Sequence, residues 1–110
     1  MGWIDPLGLT NCFFRGSRKC EPANFRAKPG EYKIDPKTGL VKTTHGVSIF
    51  NNPESVASKG FDPNKIDMST VGNDLKIIQR GNDLKHYEIV PSSPMTLDAY
   101  QEALSKIKVF

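Results

Sequence analysis

The chain has 110 residues, of which 37% are hydrophobic and 25% are charged, and its formal net charge is +3. This length fits one domain with a modest core, and no run of about 18 apolar residues provides a transmembrane helix. The mildly basic balance permits a polyanionic partner without requiring one. Cys12 and Cys20 do not have the spacing of a zinc site, and they leave a local disulfide and two free thiols as alternatives.

Residues 10–30 mix Gly, Pro, Cys, Arg and Lys with no period of 2 or 3.6 residues. This pattern predicts an irregular linker or arm. From Glu31 the pattern tightens, and we assign residues 31–110 to the folded domain. The segments EYKI and LVKTT are predicted strands around a DPKTG turn, in which Gly39 takes a positive φ. HGVSIF alternates Val and Ile with small residues, which predicts a further strand.

NNPESVASKG has the boundary residues of a short helix, with Asn52 as the cap, Pro53 at the first helical position and Gly60 at the end. FDPNKIDMSTVGND is predicted to be a loop with at most one short turn. TLDAYQEALSKI has an apolar stripe at helical spacing, with Thr96 as its cap. The predicted fold class is α+β, a small antiparallel β-sheet packed against one or two helices with an irregular N-terminal arm.

LKIIQR and HYEIV are the strongest strand pair in the sequence. We predict an antiparallel hairpin in which Arg80 lies opposite His86 and Ile78 opposite Glu88. Because side chains alternate, one face is mostly apolar and packs on a helix. The other face carries two cations, a histidine and a carboxylate, which are Lys76, Arg80, His86 and Glu88. An ordinary solvated surface with cross-strand ion pairs is the alternative interpretation.

These residue types suit a metal-independent ribonuclease, which needs a general base, a general acid and cations for the charge on phosphorus. Histidine titrates near neutral pH, and arginine binds phosphate oxygens through a planar fork. The predicted catalytic residues are His45, His86, Glu88 and Arg80. The predicted substrate-binding residues are Lys76, Thr44, Ser48 and Tyr87. Clustered carboxylates and His-rich motifs are lacking in the sequence, so no metal site and no cofactor are predicted for this reaction.

The stretch GWIDPLGL resembles the junction of Rhs-family polymorphic toxins, where a large shell ends in a W-x-DP-x-GL signature before a short toxin domain. The matching residues are Trp3, Asp5, Pro6, Gly8 and Leu9. The resemblance implies that residues 1–9 are a remnant of the shell, which acts as carrier. It also implies a secreted effector, delivered into the cytoplasm of a target bacterium by type VI secretion or a related route. A cognate immunity protein would neutralise it in the producer, and no membrane insertion is expected.

The leading hypothesis is therefore an antibacterial ribonuclease that acts on the RNA of a competitor. Its helix-plus-sheet pattern is similar to the barnase/EndoU/colicin/RelE class of ribonucleases at the level of fold class. The alternative is an ADP-ribosyltransferase or another NAD-consuming toxin, because THGVSIFNNPESVASKG resembles the opening of His-Tyr-Glu transferases. That resemblance implies that His45 binds the NAD ribose and that Glu88 is catalytic. A non-enzymatic binding or pore-forming effector is the third hypothesis.

Overall fold

The computed structural model describes residues 12–18 and 22–110, so the predicted shell remnant at residues 1–9 and Cys20 lie outside the described residues. Within these ranges the chain forms a six-stranded antiparallel sheet and two α-helices, which confirms the predicted α+β class. The strand order is β4-β5-β2-β1-β3-β6. The elements are β1 Phe14–Ser17, β2 Val47–Phe50, α1 Pro53–Ala57, β3 Asp62–Asp67, β4 Leu75–Gln79, β5 His86–Pro91, α2 Leu97–Ser105 and β6 Lys108–Val109.

Helix α2 covers one face of the sheet with the apolar stripe that its sequence predicts. Thr96 caps the helix, since its hydroxyl accepts a hydrogen bond from the backbone N–H three residues later at 3.2 Å. Tyr100 and Leu104 are fully buried, and they share the main core with Ile49 of β2 and Ile89 of β5. Each such buried side chain contributes about 1.5–3 kcal/mol to folding, so this contact is the principal source of stability.

The β4–β5 hairpin has the predicted register. Ile78 lies opposite Glu88, and the backbone N–H of Arg80 donates to the carbonyl oxygen of His86 at 3.3 Å. Because strand side chains alternate, this register places Arg80, His86 and Glu88 on one face. Tyr87 lies on the other face, which packs against the core under α2.

Helix α1 forms as predicted from its boundary residues. The side chain of Asn52 accepts from the backbone N–H of Glu54 at 2.7 Å, Pro53 is the first helical residue, and Gly60 has φ +86°. Val56 is the buried residue of this helix. It does not belong to the core under α2, and α1 contacts β1, β2 and β3 instead.

Ser48 and Phe50 define the sheet face on which α1 lies. They alternate along β2 with Val47 and Ile49, which are fully buried in the main core. Ser48 and Phe50 therefore point away from α2, and together with Val56 of α1 they line one groove. The candidate site residues of the hairpin share this face, because Phe50 pairs with His86 and Ser48 pairs with Glu88.

The irregular arm predicted for residues 10–30 needs correction at Phe14–Ser17, which forms the central strand β1 between β2 and β3. The neighbouring Phe13 and Phe25 are buried in the core. The strand is hidden in the sequence because its four residues include Arg15 and Gly16, which break the apolar alternation. Its pairing partners in β3 lie more than 40 positions away.

The loop predicted for FDPNKIDMSTVGND is also wrong, since Asp62–Asp67 forms β3 and only Met68–Thr70 forms a short 3-10 turn. Ile66 is the single fully buried residue of β3. This polar segment becomes a strand because β1 and β6 flank it on either side. Because only one of its residues is buried, the sequence of β3 lacks the apolar alternation from which a strand is predicted.

The turn predicted at DPKTG is present, but the two strands predicted on either side of it are not, and only isolated bridges form there. Gly39 has φ +73°, as the turn requires. The flanking segments are joined by the bridge between Ile34 and Val41, and Val41 forms a second bridge with Met95. The segment therefore packs beside the sheet as a loop rather than as two of its strands.

Candidate functional site

Strands β1 and β2 part after a single register pair, Phe14 with Phe50. Beyond that pair, side chains bind the backbone of Ser48 where a neighbouring strand would pair. Arg15 Nη1 donates to the carbonyl oxygen of Ser48 at 2.8 Å, and the backbone N–H of Ser48 donates to Glu31 Oε2 at 3.2 Å. The sheet is therefore divided into the halves β4-β5-β2 and β1-β3-β6, and a cleft lies between them.

Arg15 and Glu31 form a mostly buried ion pair in this cleft. Arg15 Nη1 lies 3.1 Å from Glu31 Oε2, and Arg15 Nε donates to the carbonyl oxygen of Asn24 at 3.0 Å. Burial acts to raise the pKa of Glu31, but the hydrogen bond and charge of Arg15 and two backbone N–H groups outweigh it and lower the pKa. Among the described residues, the side-chain bonds of Arg15 are made by Nε and Nη1.

Glu88 is a buried carboxylate on the neighbouring strand β5, with its side chain only 7% exposed. One oxygen, Oε1, accepts from the backbone N–H of Gly46 at 2.9 Å. The other, Oε2, accepts from Arg80 Nη1 at 2.9 Å. Arg80 is 42% exposed, so its guanidinium covers the carboxylate from the solvent side. Both oxygens of Glu88 are thus held in a defined orientation.

The ring of His86 is oriented by bonds at both nitrogens. Nδ1 lies 2.9 Å from the carbonyl oxygen of Arg80, which only accepts, so Nδ1 carries the proton. In the neutral ring Nε2 then has the lone pair, and it accepts from Ser48 Oγ at 3.1 Å. Nε2 also lies 3.8 Å from Glu88 Oε2. The ring of Phe50 lies 5.2 Å from the imidazole between centroids.

A groove of about 330 Å³ extends from Ser48, the hydrogen-bond partner of His86, across the α1 face. Ser48 lies at one end of it, and Phe50 and the 43% exposed Phe61 provide aromatic surface. Lys59 Nζ lies 5.4 Å from the centroid of the Phe50 ring. The groove is also lined by Arg15, Lys28 and Lys59. Aromatic faces beside fixed cations suit a ligand that combines planar rings with anionic groups.

The structure thus brings together four of the predicted site residues, Ser48, Arg80, His86 and Glu88. His45 lies beside them, because the next residue donates its N–H to Glu88. Partial burial and the charge of Arg80 lower the pKa of His45, while Glu88 acts to raise it.

The predicted residue Thr44 contacts His45 rather than the rest of the cluster. Its Oγ1 lies 2.8 Å from His45 Nδ1. Among the described residues no hydrogen bond joins His45 to His86. Thr44 and His45 therefore form a small polar pair at the margin of the site.

Lys76 and Tyr87 are not brought into the cluster. Lys76 is exposed and pairs with Val90, four residues before Arg80 along the hairpin. Tyr87 lies on the core face, and its ring packs edge-on against Phe13 at 5.0 Å. Alternation along β5 separates Tyr87 from its neighbours His86 and Glu88.

Arg15 and Glu31 are the candidate site residues that sequence reasoning misses. Arg15 lies in FFRGS, within the supposed arm, and Glu31 follows a Pro-Gly pair. Neither stretch has a local pattern that predicts a strand or a site. Both residues join the candidate site because β1 lies beside β2 and the Glu31 loop reaches Ser48.

Among the described residues no group of three or more His, Cys, Asp or Glu side chains is placed to hold a metal ion. None of the described helices is long and apolar enough to cross a membrane. No protein-family model, curated protein or solved structure matches the chain.

Proposed function

We propose that this protein is an ADP-ribosyltransferase that takes NAD as its substrate, with Glu88 as the catalytic carboxylate. The observation that carries the proposal is the placement of Arg15 and Glu88 on either side of Ser48. They come from the strands that flank β2 in the sheet, β1 and β5. Arg15 binds the backbone of Ser48 where the two half-sheets part, and Glu88 lies opposite Ser48 in the β2–β5 pairing.

A buried, oriented carboxylate is the group that cleavage of the nicotinamide–ribose bond requires. The bond breaks with its electron pair leaving on nicotinamide, which departs as a neutral molecule and needs no general acid. Positive charge then builds on the ribose ring, as in glycoside cleavage, and an oriented carboxylate offsets it. Glu88 supplies that carboxylate, and the backbone N–H of Gly46 fixes its Oε1. The half-exposed Arg80 side chain, which covers Oε2 from the solvent side, turns aside when the ribose binds.

The second half of the reaction forms a bond between the ribose carbon and an acceptor nucleophile, which gives up a proton. His86 Nε2 has its lone pair on the same face, 3.8 Å from Glu88 Oε2. Because Nδ1–H is already bonded to a backbone carbonyl, the ring presents a base rather than an acid at this atom. His86 therefore receives the acceptor's proton, or that of water when NAD is hydrolysed.

The groove supplies the binding contacts that a dinucleotide needs. Arg15, Lys28 and Lys59 are positioned for the diphosphate. Phe50 and Phe61 offer faces on which a planar ring stacks. The role of His45 as a contact of the NAD ribose remains part of this proposal, since it lies beside Gly46 at the margin of the site.

A ribonuclease is the second candidate, and the cluster of His86, Glu88 and Arg80 favours it. Cleavage by the 2′-hydroxyl requires a base and an acid on opposite sides of the phosphorus atom. His86 and Glu88 lie 3.8 Å apart on one side of the cluster, and His45 has no bond to either side chain among the described contacts. NAD cleavage, which needs an oriented carboxylate and a base but no general acid, is the better fit.

The biological setting rests on the Rhs-type junction at residues 1–9. We propose that the domain is the toxin of such an effector, carried by the shell into a competing bacterium and restrained in the producer by an immunity protein. An ADP-ribosyltransferase fits this setting, because modification of one essential molecule can stop the growth of the competing bacterium. Expression of the chain in the bacterial cytoplasm, with and without Glu88→Gln, tests toxicity directly.

The activity is tested by incubating the purified chain with biotin-labelled NAD and a bacterial lysate, then detecting label on protein and RNA separately. Wild type and Glu102→Gln, which changes an exposed glutamate on α2, should transfer label and release nicotinamide. Glu88→Gln should do neither while keeping the wild-type circular dichroism spectrum. The proposal is overturned if NAD is not consumed, or if folded Glu88→Gln is as active as wild type. Cleavage of total RNA in EDTA would support the ribonuclease instead.

A further inference from the structure

A second cavity, of about 150 Å³, adjoins the groove that begins at Ser48. The two cavities share Arg15, Gly16, Lys28 and Phe61 as lining residues. They are therefore two compartments of one continuous depression. Their shared wall lies on β1 and on the segment that follows α1.

The described lining of the second cavity is cationic. It includes Arg15, Arg18, Arg26 and Lys28, and no aspartate or glutamate is among its described residues. Arg26 and Lys28 are exposed, and no described carboxylate forms an ion pair with either. Their charges are therefore available to an anionic ligand.

We propose that the second cavity binds the adenosine monophosphate half of NAD, and that Arg26 gives this protein its preference for a dinucleotide over a mononucleotide. This inference rests on the proposed function, which places the nicotinamide ribose near Glu88. Ser48, next to Glu88, lines the larger groove and not the smaller cavity. The nicotinamide ribose lies at the Ser48 end, so the second nucleotide extends past Arg15 towards Arg26.

Gly16 lines both compartments. A Cβ at this position would lie 3.0 Å from Phe61 Cβ and 3.1 Å from Val56 Cγ1. The glycine therefore lets these two side chains pack directly on β1 and shape the floor of the depression. Arg15 and Lys28 also line both compartments, which places cations beside the two phosphates.

The test compares nicotinamide release from NAD with release from nicotinamide mononucleotide, which lacks the adenosine monophosphate half. Wild type should favour NAD in kcat/KM by about tenfold, since one charge-assisted contact contributes about that much. Arg26→Ala should remove this preference by lowering kcat/KM for NAD about tenfold, mainly through KM, and should leave release from the mononucleotide unchanged, because Arg26 lines only the second cavity. Lys106→Ala removes an exposed cation at the end of α2 and should match wild type.

The outcomes separate this inference from the proposed function. If NAD is consumed but Arg26→Ala keeps the wild-type preference, the placement of the adenosine monophosphate half is wrong, and the proposed role of Glu88 is unaffected. The same conclusion follows if wild type uses the mononucleotide as well as NAD. If wild type consumes neither compound, alone or with lysate, the proposed function fails and this placement fails with it.

Discussion

The guanidinium of Arg15 donates to the backbone carbonyl of Ser48 at 2.8 Å, although the two residues are 33 positions apart. This bond takes the place of a β-ladder bond at the point where β1 leaves β2. Glu31 accepts a hydrogen bond from the backbone N–H of the same serine. The Arg15–Glu31 ion pair therefore makes the two hydrogen bonds that a neighbouring strand would otherwise make with Ser48. The cleft exists because side chains, and not the backbone of β1, form the hydrogen bonds to Ser48, so the two strands separate here.

Arg15→Lys should lower the free energy of unfolding by about 1–3 kcal/mol, because hydrogen bonds to charged groups are lost. One ammonium group cannot reach Ser48, Glu31 and Asn24 together as the guanidinium fork does. Urea denaturation followed by circular dichroism measures the change. Arg26→Lys, at an exposed position, is the control and should unfold like wild type. Equal stability of the two variants would contradict the structural role of Arg15.

Glu31 should make stability depend on acid pH. Its pKa in the folded chain is below the ordinary value of 4.5, so folding favours the carboxylate. The stabilisation is present above the unfolded pKa and is lost as pH falls through the folded pKa. Urea titrations from about pH 7 to about pH 3 should therefore show a steeper loss for wild type than for Glu31→Gln. Glu102→Gln, an exposed control, should follow wild type; a Glu31→Gln curve parallel to wild type would refute the argument.

Gly46→Ala should destabilise the fold by about 3 kcal/mol or more, through overpacking. An added Cβ would overlap the carbonyl oxygen of Ile89 and the hydroxyl of Tyr100. It would also displace the N–H that binds Glu88. Gly30→Ala is the matched control, since no atom lies within 4 Å of its added Cβ, and its stability should stay within about 0.5 kcal/mol of wild type. Thermal unfolding that ranks the two variants equally would argue against this close approach.

Ser48→Ala should separate activity from folding. Arg15 and Glu31 bind the serine through its backbone, so removing the hydroxyl leaves both bonds in place. The change in stability should stay below about 1 kcal/mol. NAD consumption should fall, because His86 Nε2 loses the hydroxyl that orients it. Ser92→Ala, which removes an exposed hydroxyl after β5, is the activity control. Wild-type turnover by Ser48→Ala would remove this serine from the site.

Tyr100→Phe should destabilise the chain by about 1–3 kcal/mol although the ring is kept. The hydroxyl accepts from the backbone N–H of Val47 and donates to the carbonyl oxygen of Ile89, so it bridges β2 and β5. Both backbone groups would be left buried and unpaired. Tyr32→Phe removes a half-buried tyrosine hydroxyl and should change urea stability little. If both variants unfold at the same urea concentration, the bridge is not a stabilising contact.

Much of the part of the candidate site that lies on the β4–β5 hairpin can be predicted from sequence. The β4–β5 hairpin has strong alternation and a short loop, which is enough to place Arg80, His86 and Glu88 on one face in the correct register. HGVSIF predicts β2, and alternation then puts Ser48 on the same side as Phe50. Both helices are recognisable because their capping residues and apolar spacing are local properties of the chain.

Only the tertiary structure decides the part of the candidate site that contains Arg15, Glu31 and the cleft. β1 and β3 are strands because each pairs with distant segments, and neither has the apolar alternation that would show it locally. Arg15 becomes a site residue only when β1 lies beside β2, and Glu31 only when its loop reaches Ser48. Residue patterns within the β4–β5 segment thus predict the hairpin and the position of Glu88. The cleft depends on pairing between strands that are distant in sequence, which local residue patterns do not predict.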